Sequence, residues 1–228
     1  MDKHAKLLEL SKKRQRSRWE GYNCIGDYHD GVYECDFVSP YTRTAGNVNA
    51  EIFVLLQDWS SDESMKLNVD EQTLCLGHTP GLPTNRNLVR LLKEHFNLGL
   101  SDIYGTNLFP FIKPGGMSAP IPQKDLVLAA QAFGLPQVKI VSPKLVICLG
   151  IATFQALQIA CDHCPSKNLE DAIGSTFEHE SSQIWCQAHT GRLGQNNRNR
   201  GGEKRVTKDW RMMREAFVGR RAEVIAAV

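Results

Sequence analysis

Residues 144–160 read KLVICLGIATFQALQIA, and this stretch decides the fold. Lys144–Gly150 is a short apolar run of strand length, without the polar alternation of a strand that faces water on one side. It passes at Gly150 straight into Ile151–Ala160, which reads as a helix. A strand that feeds a helix in this way marks an α/β chain with a mainly parallel sheet.

The same grammar extends in both directions. Glu51–Gln57 (EIFVLLQ), Ser101–Asn107 (SDIYGTN) and Gln183–His189 (QIWCQAH) read as further strands, which gives a sheet of four. Helices are predicted over residues 3–17, over Asn87–Phe96 after a Pro/Thr/Asn turn at 83–85, over Pro122–Phe133 with Gly134 as its stop, and over Thr207–Phe217. Segments 19–50 and 108–121, rich in Gly, Pro and Tyr, read as loops. The expected architecture is a three-layer α/β/α domain with a central, mainly parallel four-stranded sheet. At 228 residues and 42% hydrophobic content the chain can bury a full core as one domain, residues 1–228.

Composition narrows the function classes. No apolar run approaches the roughly 18 residues of a membrane span, and the N-terminus MDKHAKLLELSKKRQRSR lacks the apolar stretch of a signal peptide. The expectation is a cytoplasmic protein with no membrane partner. Seven cysteines, an odd number with Cys148 and Cys186 inside apolar strands, suit reduced thiols. The net charge of +2 conceals an asymmetry. Residues 1–18 carry seven Lys/Arg against two acids and residues 192–221 carry ten against three, whereas the rest of the chain is acidic. Basic ends of this kind fit either a polyanion-binding face or two solvated amphipathic helices.

Several chemistries find no motif. The chain contains no GxxxxGK[ST], no GxGxxG after a strand, no HExxH and no GxSxG. Cys161 and Cys164 form one C-x-x-C, which with Cys24 and Cys35 would supply four thiolates; the irregular spacing of the second pair makes structural coincidence the stronger reading, and no metal is expected. What remains is a set of polar residues at strand ends. In an open parallel sheet the ligand crevice lies beyond the carboxyl ends of the strands. Gln57-Asp58 closes the first strand, Asn107 the second and His189 the fourth, so a carboxylate, an amide and an imidazole are expected in one crevice.

At these residues the sequence resembles the uracil-DNA glycosylase superfamily, most closely its family-one members. Leu56-Gln57-Asp58-Trp59-Ser60-Ser61 is similar to the water-activating motif Gly-Gln-Asp-Pro-Tyr-His, and Tyr104-Gly105-Thr106-Asn107 to the stretch that ends in a uracil-reading Asn. His189-Thr190-Gly191-Arg192-Leu193 keeps the His-to-Leu spacing of the His-Pro-Ser-Pro-Leu loop. Leu74-Cys75-Leu76, followed by a Pro-containing loop and Leu88, resembles Leu-Cys-Phe and the proline-rich loop that compresses DNA. Leu145–Gly150 is similar to the strand before the second catalytic loop. The likeness covers roughly residues 50–217.

The resemblance implies a monofunctional DNA glycosylase that flips uracil from single- or double-stranded DNA, releases free uracil and needs no cofactor, acting as a monomer. It assigns catalysis to Asp58 and His189 and substrate binding to Gln57, Trp59, Leu76, His78 and Asn107. It assigns DNA contacts to Asn85, Arg86, Arg192, Leu193, Arg198 and Arg200, the last four in an Arg/Asn-rich loop at 191–206 with Leu193 as a wedge; the bland alternative for Leu193 is a core leucine. The chemistry asks for the same groups. Departure of uracil makes a cationic sugar and an anionic base, which call for a carboxylate and a hydrogen-bond donor. An amide offers one donor and one acceptor to the edge of uracil. The family's thymine-excluding Tyr falls on Ser60, its Pro on Trp59 and its stacking aromatic on Leu76. A glycosylase for another damaged or mismatched base and a non-catalytic DNA-binding module therefore stay open.

Overall fold

Strands that are apolar on both faces are stable only where helices cover both, and the chain meets that demand by alternating the two. The computed structural model describes the backbone of residues 2–226 and the surroundings of side chains through residue 219. In chain order it forms α1 (Lys3–Arg16), β1 (Ile52–Asp58), α2 (Asp62–Met65), α3 (Glu71–Leu76), α4 (Pro83–Phe96), β2 (Tyr104–Phe109), α5 (Gln123–Ala129), α6 (Leu135–Val141), β3 (Leu145–Leu149), α7 (Ile151–Ala160), α8 (Leu169–Gly174), β4 (Phe177–His179), β5 (Ser182–Gln187), α9 (Arg192–Arg198) and α10 (Arg205–Ala226). The sheet runs β2-β1-β3-β5-β4, with every adjacent pair parallel except β4 with β5. This is a three-layer α/β/α fold.

Successive side chains of each strand enter opposite layers. Phe53 and Leu55 of β1, with Val146 and Cys148 of β3, pack with α1, α5, α6, α7 and α8; Val54 and Leu56, with Leu145 and Ile147, pack with α4 and α10. The two basic ends of the chain therefore lie on opposite layers and do not form one face. Several cations of α1 are spent internally. Lys3 Nζ donates to the Val48 and Val141 carbonyls, and the buried Arg14 guanidinium binds Glu34 and the carbonyls of Cys35 and Phe37.

The expected elements need four corrections. The sheet has five strands, because the three-residue β4 pairs antiparallel at the edge beside β5; three residues are too few for periodicity to show. Pro83–Asn85 is the first turn of α4, where Pro83 loses nothing by lacking an N–H. The helix expected to stop at Gly134 continues: Gly134 is helical, Ala130–Gly134 forms a π turn, and α6 runs on to Val141. Pro136 within it has no N–H for the Ala132 carbonyl, and Lys13 Nζ donates to that carbonyl instead at 3.2 Å. Finally, Ser101 and Asp102 belong to a 3₁₀ turn, and the second strand starts at Tyr104 and runs to Phe109, so Asn107 lies two residues before its end and Leu108 and Phe109 are strand in place of the expected loop. Among the described residues no helix is long and apolar enough to cross a membrane.

The α4–α10 contact is built on Trp210, which is fully buried with its ring 6.0 Å from that of His95 and 6.4 Å from that of Phe96. Trp210→Ala is expected to cost about 3–5 kcal/mol of stability. Urea unfolding measures it, and a loss under about 1 kcal/mol would show that the seam is not held there.

Candidate functional site

The carboxyl ends of β1 and β2 and the turn after β5 open into one cleft of about 440 Å³, within the range of roughly 300–1,000 Å³ usual for small-ligand sites. Gln57, Asp58, Trp59, His78, Asn85, Asn107 and His189 all line it. The register explains the convergence. Leu56 pairs with Asn107 and Asp58 with Phe109, so the last residues of the two neighbouring strands stand level.

Asp58 is fixed from two sides. Gln57 Nε2 donates to its Oδ1 at 3.0 Å, and Lys113 Nζ lies 3.0 Å from its Oδ2, with the two side chains of this ion pair only 9% and 3% exposed. Lys113 also donates to the Met117 carbonyl, while its own carbonyl accepts from Asp62 N–H. The loop after β2 is thus pinned over the end of β1. Burying a carboxylate is costly unless a cation and further hydrogen bonds accompany it, and here both do.

Asn107 is 1% exposed, and its orientation follows from a chain of donors. Tyr41 N–H donates to Ser39 Oγ, and the Ser39 hydroxyl donates to Asn107 Oδ1 at 2.6 Å. The Asn107 NH₂ group is left as a donor, with a second lone pair remaining on Oδ1.

His189 stands two residues beyond β5. Gly191 N–H donates to its Nδ1 at 3.0 Å, which leaves the proton of the neutral ring on Nε2. The ring opens onto the cleft yet is closely surrounded by protein. By surface area His189 is exposed at the cleft mouth; displacement of water by the neighbouring protein lowers its pKa most, with Asp58 opposing and Lys113 lowering it further. Space dictates Gly194: a Cβ there would lie 2.2 Å from the His189 carbonyl oxygen. His78 has the opposite polarity. Its Nδ1, 3.2 Å from the Leu76 carbonyl, must donate, which leaves Nε2 an acceptor, and burial lowers its pKa.

Some expected residues are placed otherwise. Leu76 does not line the cleft: α3 ends at Gly77 in the left-handed region (φ 75°), and the turn carries His78 inward in its place. Asn85 is buried, its Nδ2 donating to the Thr79 carbonyl, so it braces the cleft wall. The segment expected as a loop at 191–206 contains α9, on which Arg192 and Leu193 are exposed, Leu193 by 75%; it is no core leucine. Arg86 and Arg200 are exposed as well. Arg198 is not available to phosphate. It is buried, with Nε donating to Asp209 at 2.6 Å and a second ion pair to Glu170, and so ties α9 to α10 and α8. At the end of α7, burial pushes the Cys161 thiol up to about 11, and Cys24 bonds the distant Ser17 carbonyl; among the described residues no three His, Cys, Asp or Glu side chains group as metal ligands.

Sequence reasoning missed Lys113, Ser39, Tyr33 and Tyr41. Tyr41 pairs with His78 (ring centroids 5.2 Å apart) and Tyr33 with Trp59 (5.5 Å), which gives the cleft two aromatic walls. The one available signal was Lys113 itself, a lone charge in the apolar run Leu108–Ile112 onward, directly after a strand. No family model matches the chain, and no curated protein is significantly similar to it.

Burial lowers the pKa of His78, His95 and His189 alike. The unfolded chain takes up these protons near the ordinary value of about 6.5, before the folded protein does. The contribution of these three rings to stability is therefore expected to be complete above that pH and to be lost as pH drops from there through the folded values. Urea unfolding at neutral and acid pH, with NMR titration of the three rings, checks this. A His189 pKa above the ordinary value would overturn the Nε2–H assignment.

Proposed function

We propose that this protein is a uracil-DNA glycosylase, which extrudes uracil from DNA and hydrolyses its N-glycosidic bond. The observation that carries the reading is the meeting of Asp58, Asn107 and His189 in one cleft, each with its hydrogen-bonding polarity set by a buried partner. A flipped pyrimidine enters between the aromatic walls. Asn107 Nδ2 donates to O4, and the second lone pair of Oδ1 accepts from N3–H, a pattern that cytosine, with N3 as acceptor and an amine at C4, does not match. His189 donates from Nε2 to O2 as the base departs with the bonding electrons. The neutral ring keeps its Nε2 proton and stabilises uracil as a departing anion through this hydrogen bond. Asp58 faces the cationic sugar and holds the water that attacks C1′, taking up its proton. The extruded base leaves a gap in the duplex, and Leu193, an exposed apolar side chain on the first turn of α9, fills it.

A second reading, a glycosylase for another damaged or mismatched base, is favoured by one feature. Ser60 lines the cleft, and at that position no ring crowds a 5-methyl group. Single-turnover cleavage of matched single- and double-stranded oligonucleotides carrying uracil, thymine mismatches or hypoxanthine, with EDTA present, separates the two. Uracil excision in EDTA is the expected result; DNA binding without an alkali-labile site would sink both.

Asp58→Asn is expected to keep the fold and DNA affinity and to lose on the order of a hundredfold in single-turnover rate, about 3 kcal/mol. Retention of more than about a third of the rate would remove Asp58 from catalysis. Leu193→Ala is expected to slow excision from duplex far more than from single-stranded DNA, with an unchanged melting temperature because the side chain is exposed. Equal slowing on both substrates would rule out the wedge.

A further inference from the structure

Outside the cleft, α4 and α10 meet along a seam. His95 and Phe96 pack on Trp210, and Phe96 on Phe217. On the outer surface Arg86, Arg90 and Lys93 of α4 are exposed at a spacing that keeps them on one side of the helix, and Arg211 and Arg214 of α10 are exposed too. Arg211 and Arg214 lie one residue and one turn beyond Trp210, whose ring packs on His95 and Phe96 of α4, so the cations of the two helices flank one seam. Two acids lie among these five cations: Glu94, bonded to Arg90 at 2.8 Å, and the exposed Glu215. The balance is positive. A shallow groove of about 600 Å³ runs along the α4 side between Arg86, Val89 and Lys93, and it shares His78 and Asn85 with the cleft.

We propose that this α4–α10 seam is a second polyanion-binding surface, which carries the DNA strand flanking the nucleotide held in the cleft; it rests on the glycosylase reading for that nucleotide. The dimensions fit. From Arg86 to Lys93 the helix rises about 10 Å at 1.5 Å per residue, and phosphates of one duplex strand follow each other every 3.4 Å along the axis, so the stripe spans about three of them. The groove and the cleft share the buried His78 and Asn85 as a common wall, which sets the seam beside the cleft, where the strand flanking a nucleotide held there would run. The contacts are to phosphates and carry no sequence preference.

The test is the triple variant R90Q/R211Q/R214Q, which keeps long polar side chains on exposed positions and whose fold is checked by its unfolding midpoint. Binding of a labelled uracil-free duplex of about 20 base pairs is measured by fluorescence anisotropy at about 50 to 200 mM salt. The variant is expected to bind at least about tenfold more weakly at the lowest salt, with a log–log salt slope shallower by about 2–3, close to 0.9 for each of three phosphate contacts. An unchanged slope, or no duplex binding by the wild type, overturns the seam. So does retention of phosphatidylserine vesicles through these arginines in place of DNA. Excision from a uracil tetranucleotide, too short to reach the seam, is expected to be equal in both proteins. Duplex binding that depends on the three arginines, with no excision from any uracil substrate, leaves the seam standing and sinks the glycosylase reading instead.

Discussion

The parallel pairing of β1 with β2 and β3 is the constraint from which the rest follows. A parallel neighbour can be reached only by crossing back over a face of the sheet, so the chain must lay a covering segment between strands. Both faces are buried as a result, and the strands become apolar throughout. Polar side chains then gather toward the strand ends, with Thr106 and Asn107 buried shortly before the end of β2. Because the strands are parallel, those ends lie together, and Asp58, Asn107 and the residues after β5 reach one cleft without any one loop having to be long.

Within that cleft each polar group is oriented by a neighbouring side chain or backbone group. Lys113 and Gln57 hold Asp58, Ser39 holds Asn107, the Gly191 amide holds His189 and the Leu76 carbonyl holds His78. Fixing polarity in advance means that little reorganisation is needed when a ligand's polar groups enter the cleft. The two neutral imidazoles, one set to donate and one to accept, show how a single backbone contact assigns a histidine its role.

Charge in this protein divides between internal ties and exposed surface in a way that counting does not reveal. Arg14 and Arg198 are buried cations matched by Glu34 and by Asp209 and Glu170, and Lys3 and Lys13 take up carbonyls left without partners around α6. The cations that face outward along α4 and α10 are a different set, drawn from the middle and the end of the chain.

The sequence by itself determined the α/β layering, the four longer strands and the meeting of Gln57, Asp58, Asn107 and His189, because apolar run length and the rule of strand ends are local signals. It did not determine β4, too short to show a period, or the run-on of α5 into α6, where the π turn lets Pro136 fall in the first turn of α6 and Lys13, more than a hundred residues earlier, donates to the Ala132 carbonyl. Nor did it separate Arg198 from Arg192 and Arg200, since all three sit in one polar stretch and only the packing of α8 and α10 against α9 buries one of them. Lys113, Ser39, Tyr33 and Tyr41 belong to the site through contacts that join segments far apart in the chain. Residue type and spacing say which groups a chain has at its strand ends; which partner each one meets is decided in three dimensions, because burial and hydrogen-bond polarity are properties of neighbours and not of position in sequence.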